Sequence, residues 1–448
     1  MFRFRAPFQV QGQRFVSASV LIGAFNTIAG QDWTPVASFD AGLFSEASKV
    51  SIARQGELLV LAVAHPGGGL VEAHQRHEGG LDQWGTIASE QSAIPWFGSS
   101  IALRNDLLAV GSPAAAGAGP YTGEVRLYNT STSPGSDLLE LQEVLASPEQ
   151  ASNDRFGYSL LWLGDTLAAS AVSRATARSI GTVFLFTPEQ GSYAATPPMA
   201  LLPERYPVPF IRWFGAALAT GGGKLAIAAP YSGFEATNDQ QNIGSLHLFQ
   251  RDAQSPSGWS IDTAWANLAL DTSTSCAFDR MELGRWGAAF VDGGLLFDHA
   301  KRYSGSGGTV LEPWTTPSTG SGTCPACRLR AAMSIDGTWD LEGATVPSGS
   351  APPLMRGALA WCASGDTLLI SSKDPGSTAW STAVHRRDQG GPWAWGYSSS
   401  IADAETCDEL SGPMLLSGQF FIRVSMQRGQ TCSVPDGMVR VKVEVFEP

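Results

Sequence analysis

The residues of this chain that could do chemistry are few and scattered. Cys324-Pro-Ala-Cys327 has the spacing of a redox dithiol or of half a zinc site. A redox pair would open a helix after a strand, whereas Gly-, Ser- and Thr-rich sequence precedes this one. Residue 328 is Arg, not His, which excludes c-type haem attachment. No second cysteine pair or matching histidines follow, so zinc would lack ligands. Cys276, Cys362, Cys407 and Cys432 bring the count to 6. An even number in a Lys-poor, Trp-rich chain points to disulfides and an oxidising compartment, with free thiols as the alternative.

The histidines form no constellation. His74 and His77, three apart, would fall on opposite faces of a strand and read as a solvated turn. His247 and His385 sit in expected strands and read as surface or inter-blade residues. His65 precedes a Pro-Gly-Gly-Gly turn, and Asp298-His299 is a lone dipeptide with no third partner. Gly117-Ala-Gly-Pro-Tyr-Thr-Gly123 lacks the strand-to-helix setting of a phosphate loop. Trp96, Trp213 and Trp286 flank Phe-Gly positions and are the aromatics placed to meet a ligand on one face.

The elements that must carry these residues are strands. Charged residues are 16% of the 448, against about 25% in ordinary soluble chains. Gly (50), Pro (27), Ser and Thr suit short strands and tight turns. Three segments repeat. The Phe-Gly pairs Phe97-Gly98, Phe156-Gly157 and Phe214-Gly215 recur at about 60 residues, the length of a four-stranded blade with its loops. Each pair is followed by a small-residue apolar run: Leu107-Leu-Ala-Val-Gly111, Leu167-Ala-Ala-Ser170, Leu225-Ala-Ile-Ala228. Each unit then closes with an alternating run, such as Val125-Arg-Leu-Tyr128, which suits a half-exposed outer strand.

This pattern resembles the FG-GAP repeat family of integrin-type propellers, in the bacterial variant without calcium loops. The resemblance is sharp over residues 84–250, and weaker copies extend it on both sides. It implies an all-β fold, a seven-bladed β-propeller of four-stranded antiparallel blades. The approximate blades are 31–79, 80–135, 136–190, 191–255, 256–316, 333–388 and 389–448, with residues 301–332 as an insertion on the fifth. Trp33, Trp84, Trp259, Trp339 and Trp393 would each open a unit and pack between blades. Calcium, bound by many relatives through clustered carboxylates, is disfavoured, because the nearest loop, Asn238-Asp239-Gln240-Gln241-Asn242, has one carboxylate. No other cofactor is expected.

Residues 1–30 read either as a secretory signal peptide or as a ring-closing strand. Arg3, Arg5 and Arg14 precede an apolar stretch from Phe15 to Ile28, while Phe2, Phe4, Phe8 and Val10 alternate at period two. No stretch is long and apolar enough to span a membrane as a helix. A net charge of −12 argues against nucleic acid as a partner. The expectation is a secreted or cell-surface interaction and adhesion module that binds a protein or glycan through a propeller face. The alternatives are a hydrolase or lyase at the propeller axis and a structural subunit of a surface assembly. No residue set reads as an active site.

Overall fold

In a computed structural model of the chain, strands account for all the regular secondary structure among the described residues. These are 33–45, 48–76, 84–131, 138–172, 180–203, 211–230, 232, 244–266, 281–291, 294–301, 327–335, 338–342, 360–364, 367–373, 380–387, 395–402, 408–417, 420–428 and 433–447. Residues Asp32–Pro448 form one compact unit.

The strands run in chain order as β1 (Thr34–Ser45), β2 (Lys49–Gln55), β3 (Leu58–His65), β4 (Gly68–Arg76) and β5 (Trp84–Ser92). Next come β6 (Ser100–Arg104), β7 (Leu107–Ser112), β8 (Glu124–Asn129) and β9 (Glu140–Ala146). Then follow β10 (Phe156–Leu163), β11 (Thr166–Ala171), β12 (Thr182–Phe186) and β13 (Met199–Leu201). The next four are β14 (Ala217–Gly221), β15 (Lys224–Ala229), β16 (Ser245–Arg251) and β17 (Trp259–Ala266). After them are β18 (Met281–Val291), β19 (Gly294–Lys301), β20 (Cys327–Ile335) and β21 (Thr338–Glu342). Last come β22 (Ala360–Ser364), β23 (Thr367–Lys373), β24 (Trp380–Arg387), β25 (Trp395–Ala402), β26 (Asp408–Ser417), β27 (Phe420–Arg428) and β28 (Met438–Glu447).

Among the described residues these strands pair into seven four-stranded antiparallel sheets. Six are consecutive meanders, β2–β5 to β22–β25, and the last has the order β1-β28-β27-β26. The first strand of each sheet neighbours the first strand of the next, and β26 neighbours β2. The arrangement is therefore a closed propeller, which leaves no open sheet stack at its ends. Closure is done by β1, whose register with β28 runs from Thr34 opposite Glu447 to Ser45 opposite Met438. The ring-closing strand is thus Thr34–Ser45; residues 1–30 lie outside the described residues.

The blade limits expected from sequence are out of phase with the sheets by one strand. Trp84 begins β5, which pairs with β4 and so ends the first sheet. Trp259 ends the fourth sheet in β17, and Trp339 lies in β21, opposite Ser334 of the fifth. The reason is local: consecutive strands joined by a short connection pair antiparallel, so the Trp-led strand turns back onto its predecessor. The run Val125–Tyr128 is consequently a third strand, and its Val125, Leu127 and Tyr128 are buried. The outer, exposed role belongs to strands such as β9, where Leu141 and Val144 face solvent. The CxxC segment lies in the connection between β19 and β20, inside the fifth sheet, with Cys327 the first residue of β20.

The core lies between sheets. One cluster joins Val60, Ala62, Val71 and Ala73 of the first sheet to Phe97, Leu108, Val110 and Tyr128 of the second. Another joins the third and fourth sheets through Leu185, Phe214, Ile227 and Trp259. Trp33, Trp84 and Trp259 are each buried in such clusters, as inter-blade packing requires.

Candidate ligand-binding cavity

The Phe-Gly pair is the joint between neighbouring blades. Phe97, Phe156 and Phe214 are fully buried. The glycine after each has a φ of +85°, +82° and +96° respectively. An i to i+3 hydrogen bond closes the turn, from the Ser99 N–H to the Trp96 carbonyl (3.1 Å) and from the Ala216 N–H to the Trp213 carbonyl (3.0 Å). A glycine at the third position of such a turn supplies the positive φ it needs. The turn docks on the preceding sheet: the Phe156 N–H donates to the Thr122 carbonyl (3.0 Å) and the Phe214 N–H to the Ile180 carbonyl (3.0 Å).

The residue before each pair is Trp96, Arg155 or Trp213, and each has a left-handed backbone, with φ of 61°, 55° and 59°. That conformation costs a bulky residue of order 1–3 kcal/mol relative to an ordinary one. All three line one cavity of about 1060 Å³ at the axis of the ring. The inner strands begin at this end, and Lys49 of β2 and Tyr158 of β10 complete its polar wall with Tyr121, also left-handed (φ 55°).

Contacts link these side chains in a ladder. The Lys49 ammonium lies 5.3 Å from the Tyr158 ring centre. Tyr158 meets Trp213 edge-on at 5.6 Å. The Arg155 guanidinium is 5.8 Å from the Trp213 ring and 5.8 Å from the Tyr121 ring. Lys49 is exposed, and it lines the cavity. Poor solvation between the protein walls lowers its ammonium from 10.5 to about 8. No Asp, Glu or His stands among the described lining residues.

Three serines of the wall hold the ring together, while the buried hydroxyl of a fourth, Ser99, has no hydrogen-bond partner among the described residues. Ser51 donates to the Ser99 carbonyl (3.1 Å), Ser100 to the Gly157 carbonyl (2.7 Å) and Ser159 to the Ala216 carbonyl (2.7 Å). Each bond runs from one inner strand to the next blade, so these hydroxyl protons are already committed. The charged and aromatic groups for recognition in the cavity are the two cations and the aromatic rings.

Of the aromatics expected to face a ligand, Trp96 and Trp213 are brought together here. Trp286 lies within β18 at the Phe slot of its own pair with Gly287, and its side chain is outside those described. Lys49, Tyr121, Arg155 and Tyr158 were not anticipated. Arg155 could have been found by aligning it with Trp96 and Trp213, since it fills the same slot. Lys49 heads an inner strand that no Phe-Gly pair marks.

No described protein family matches the chain, and no curated protein matches it. Solved structures are similar in fold only. Drosophila Semaphorin 1b extracellular domains 1-2 match at 10% identity and TM-score 0.45, over 93% of this chain and 87% of that one. Chaetomium thermophilum Sqt1 matches at 12% and 0.44, over 93% and 98%. A hypothetical selenium-binding protein from Sulfolobus tokodaii matches at 10% and 0.47, over 88% and 92%. Likenesses of this degree carry no argument about this chain; its fold rests on its own strand pairing.

The remaining candidates are structural where they are described. His74 is buried, not solvated; Thr86 Oγ1 is 3.3 Å from its Nδ1, Glu72 is 3.3 Å from its Nε2, and Phe39 stacks on it at 4.3 Å. His77 lies outside the described residues. His247 and His385 are also buried rather than at the surface. The burial of His247 lowers its imidazole to about 3, and that of His385 lowers its imidazole too. His247 Nε2 lies 3.0 Å from Ser245 Oγ, which donates to Ser232 Oγ (2.9 Å), which donates to the Ala229 carbonyl (2.8 Å). That direction makes Nε2 the protonated nitrogen of a neutral ring.

Cys362 has a free thiol among the described residues, half-buried, and burial pushes its pKa up, so it is a poor nucleophile. Cys276, Cys324, Cys407 and Cys432, and the Asn238–Asn242 loop, lie outside the described residues, as does the side chain of Cys327. Among the described residues no three His, Cys, Asp or Glu side chains form a metal-binding group. Among the described residues no helix is long and apolar enough to cross a membrane.

Proposed function

We propose that this protein is a secreted or cell-surface binding module, built of seven FG-GAP-like blades, that holds a protein or glycan ligand in its axial cavity. The seven sheets and the cyclic order of their inner strands support the count. The Phe-Gly joints support the kinship. One observation carries the function: Trp96, Arg155 and Trp213 fill one repeated slot in left-handed backbone and converge on one cavity. A turn alone would take Gly or Asn there at less cost, so the large side chains serve something besides the turn.

A hydrolase or lyase at the axis would have to draw its acid and base from Lys49, Tyr121 and Tyr158, because the described lining holds no carboxylate or histidine. A role as structural subunit would use the outer strands, where Leu141, Val144 and Met199 are exposed but interspersed with polar residues such as Glu140 and Gln142. The test is an array of glycans and extracellular proteins, run with and without calcium and repeated with Trp96→Ala/Trp213→Ala. Binding that is calcium-independent and lost in the variant is expected. Binding that the variant retains would move the site off the cavity.

A further inference from the structure

Resting on the reading of the cavity as a ligand site, we propose that its ligand is an acidic saccharide whose rings stack on Trp213 and Tyr158 and whose carboxylate or sulfate groups meet Lys49 and Arg155. Three observations lead there. First, the Lys49 ammonium stands over the Tyr158 ring, and the Arg155 guanidinium over the Trp213 and Tyr121 rings, 5.3–5.8 Å from their centres. A sugar ring packed against the opposite face or the edge of such a ring carries its acidic group within reach of the neighbouring ammonium or guanidinium. Aromatic surface and cation in contact match a molecule with a C–H face and an anionic edge.

Second, the sign of the cavity is opposite to that of the chain. The net charge is −12, yet the described lining carries Lys49 and Arg155 and no carboxylate. Two cations with no carboxylate beside them in the described lining suit an anionic ligand. Third, the size suits an oligomer. About 1060 Å³ is at the upper end of the range for a small-molecule pocket and gives room for several sugar rings. Ser51, Ser100 and Ser159, already bonded across the blades, do not compete for the acidic group.

The experiment is calorimetric titration of the full chain at fixed salt with four probes: an oligogalacturonate, its neutral methyl ester, a sulfated heparin-derived oligosaccharide, and poly-glutamate. The carboxylated or the sulfated sugar is expected to bind, the ester at least about tenfold more weakly, and Lys49→Gln and Trp213→Ala each to weaken binding about tenfold. Trp213→Phe, which keeps a stacking face, should keep most of the affinity and shows whether the alanine variant failed only by misfolding. Equal binding of acid and ester overturns the inference but leaves a glycan-binding cavity standing. Poly-glutamate binding that Trp213→Ala does not touch overturns it in favour of an acidic peptide. If the protein binds none of these sugars and the ligand the array retains is indifferent to Lys49 and Trp213, both this inference and the cavity reading fail.

Discussion

The carbonyl oxygen of Phe156 lies 2.2 Å from the point where a side chain at residue 123 would begin, so only glycine fits opposite it. Gly123 immediately precedes the third strand of one blade, and Phe156 opens the next blade; the two pair as a parallel bridge. Its φ of +84° is closed to most residues as well. Gly123→Ala should therefore cost about 3 kcal/mol or more, since the obstacle is backbone and cannot step aside. Gly164→Ala is the control: its φ is +67°, but nothing lies near the added carbon. It should cost only about 1 kcal/mol. Urea denaturation of both variants checks this; equal losses would mean that the joint is not what demands the glycine.

The joint also explains what could be read from the sequence. Phe97, Phe156 and Phe214 were legible because one physical requirement, a buried ring beside a positive-φ glycine, recurs at three successive joints. The phase of the blades was not legible, because a strand led by Trp84 or Trp259 looks the same whether it ends one sheet or begins the next. Hydrogen bonding decides that, and it depends on connections, not composition. The cavity was half legible. Trp96 and Trp213 advertise themselves by type, while Lys49 and Arg155 look like ordinary surface cations until the ring brings them to one wall. The burial of His247 was hidden for the opposite reason, since its strand is flanked by polar loops.

Closure by β1 predicts a second pair of outcomes. Ala37 of β1 is buried among Val50, Leu59 and Val443, at the seam between the last and first sheets. Ala37→Asp would bury a carboxylate there and should cost about 3 kcal/mol. Leu43, on the same strand, is 43% exposed. Leu43→Asp should stay within about 0.5 kcal/mol. Thermal midpoints of the two variants measure the difference, and a mild Ala37→Asp would mean the ring is held elsewhere.

Acid should find His247. Its folded value, near 3, is below the ordinary 6.5, so the unfolded chain binds the extra proton between those values. Stability from this residue is complete above about pH 6.5 and falls as the pH drops toward 3. His247→Leu should flatten that part of the acid limb when stability is followed by denaturation from pH 7 to pH 4. An unchanged slope would place the acid sensitivity in other groups.

Lys49 works at the other end of the scale. Its folded value of about 8 is below 10.5, so its charge opposes folding below pH 8, and the penalty fades as the pH rises to 10.5. Lys49→Met should raise the melting midpoint at pH 7 and lose that advantage above about pH 10. An anionic ligand should bind less tightly as the pH rises through 8, because the ammonium that meets it is lost. A pH-independent affinity would remove Lys49 from the site.

The same lysine gives the most direct test of the cavity as the binding site. An amine with a value near 8 reacts with an acylating reagent at pH 8 faster than surface lysines. The rate at Lys49, followed by peptide mass spectrometry, should fall at least about tenfold when the ligand retained by the array is present at saturation, with other lysines unchanged. An unaltered rate at Lys49 in the bound protein would contradict the account, because the ligand would then sit somewhere other than the axis of the ring.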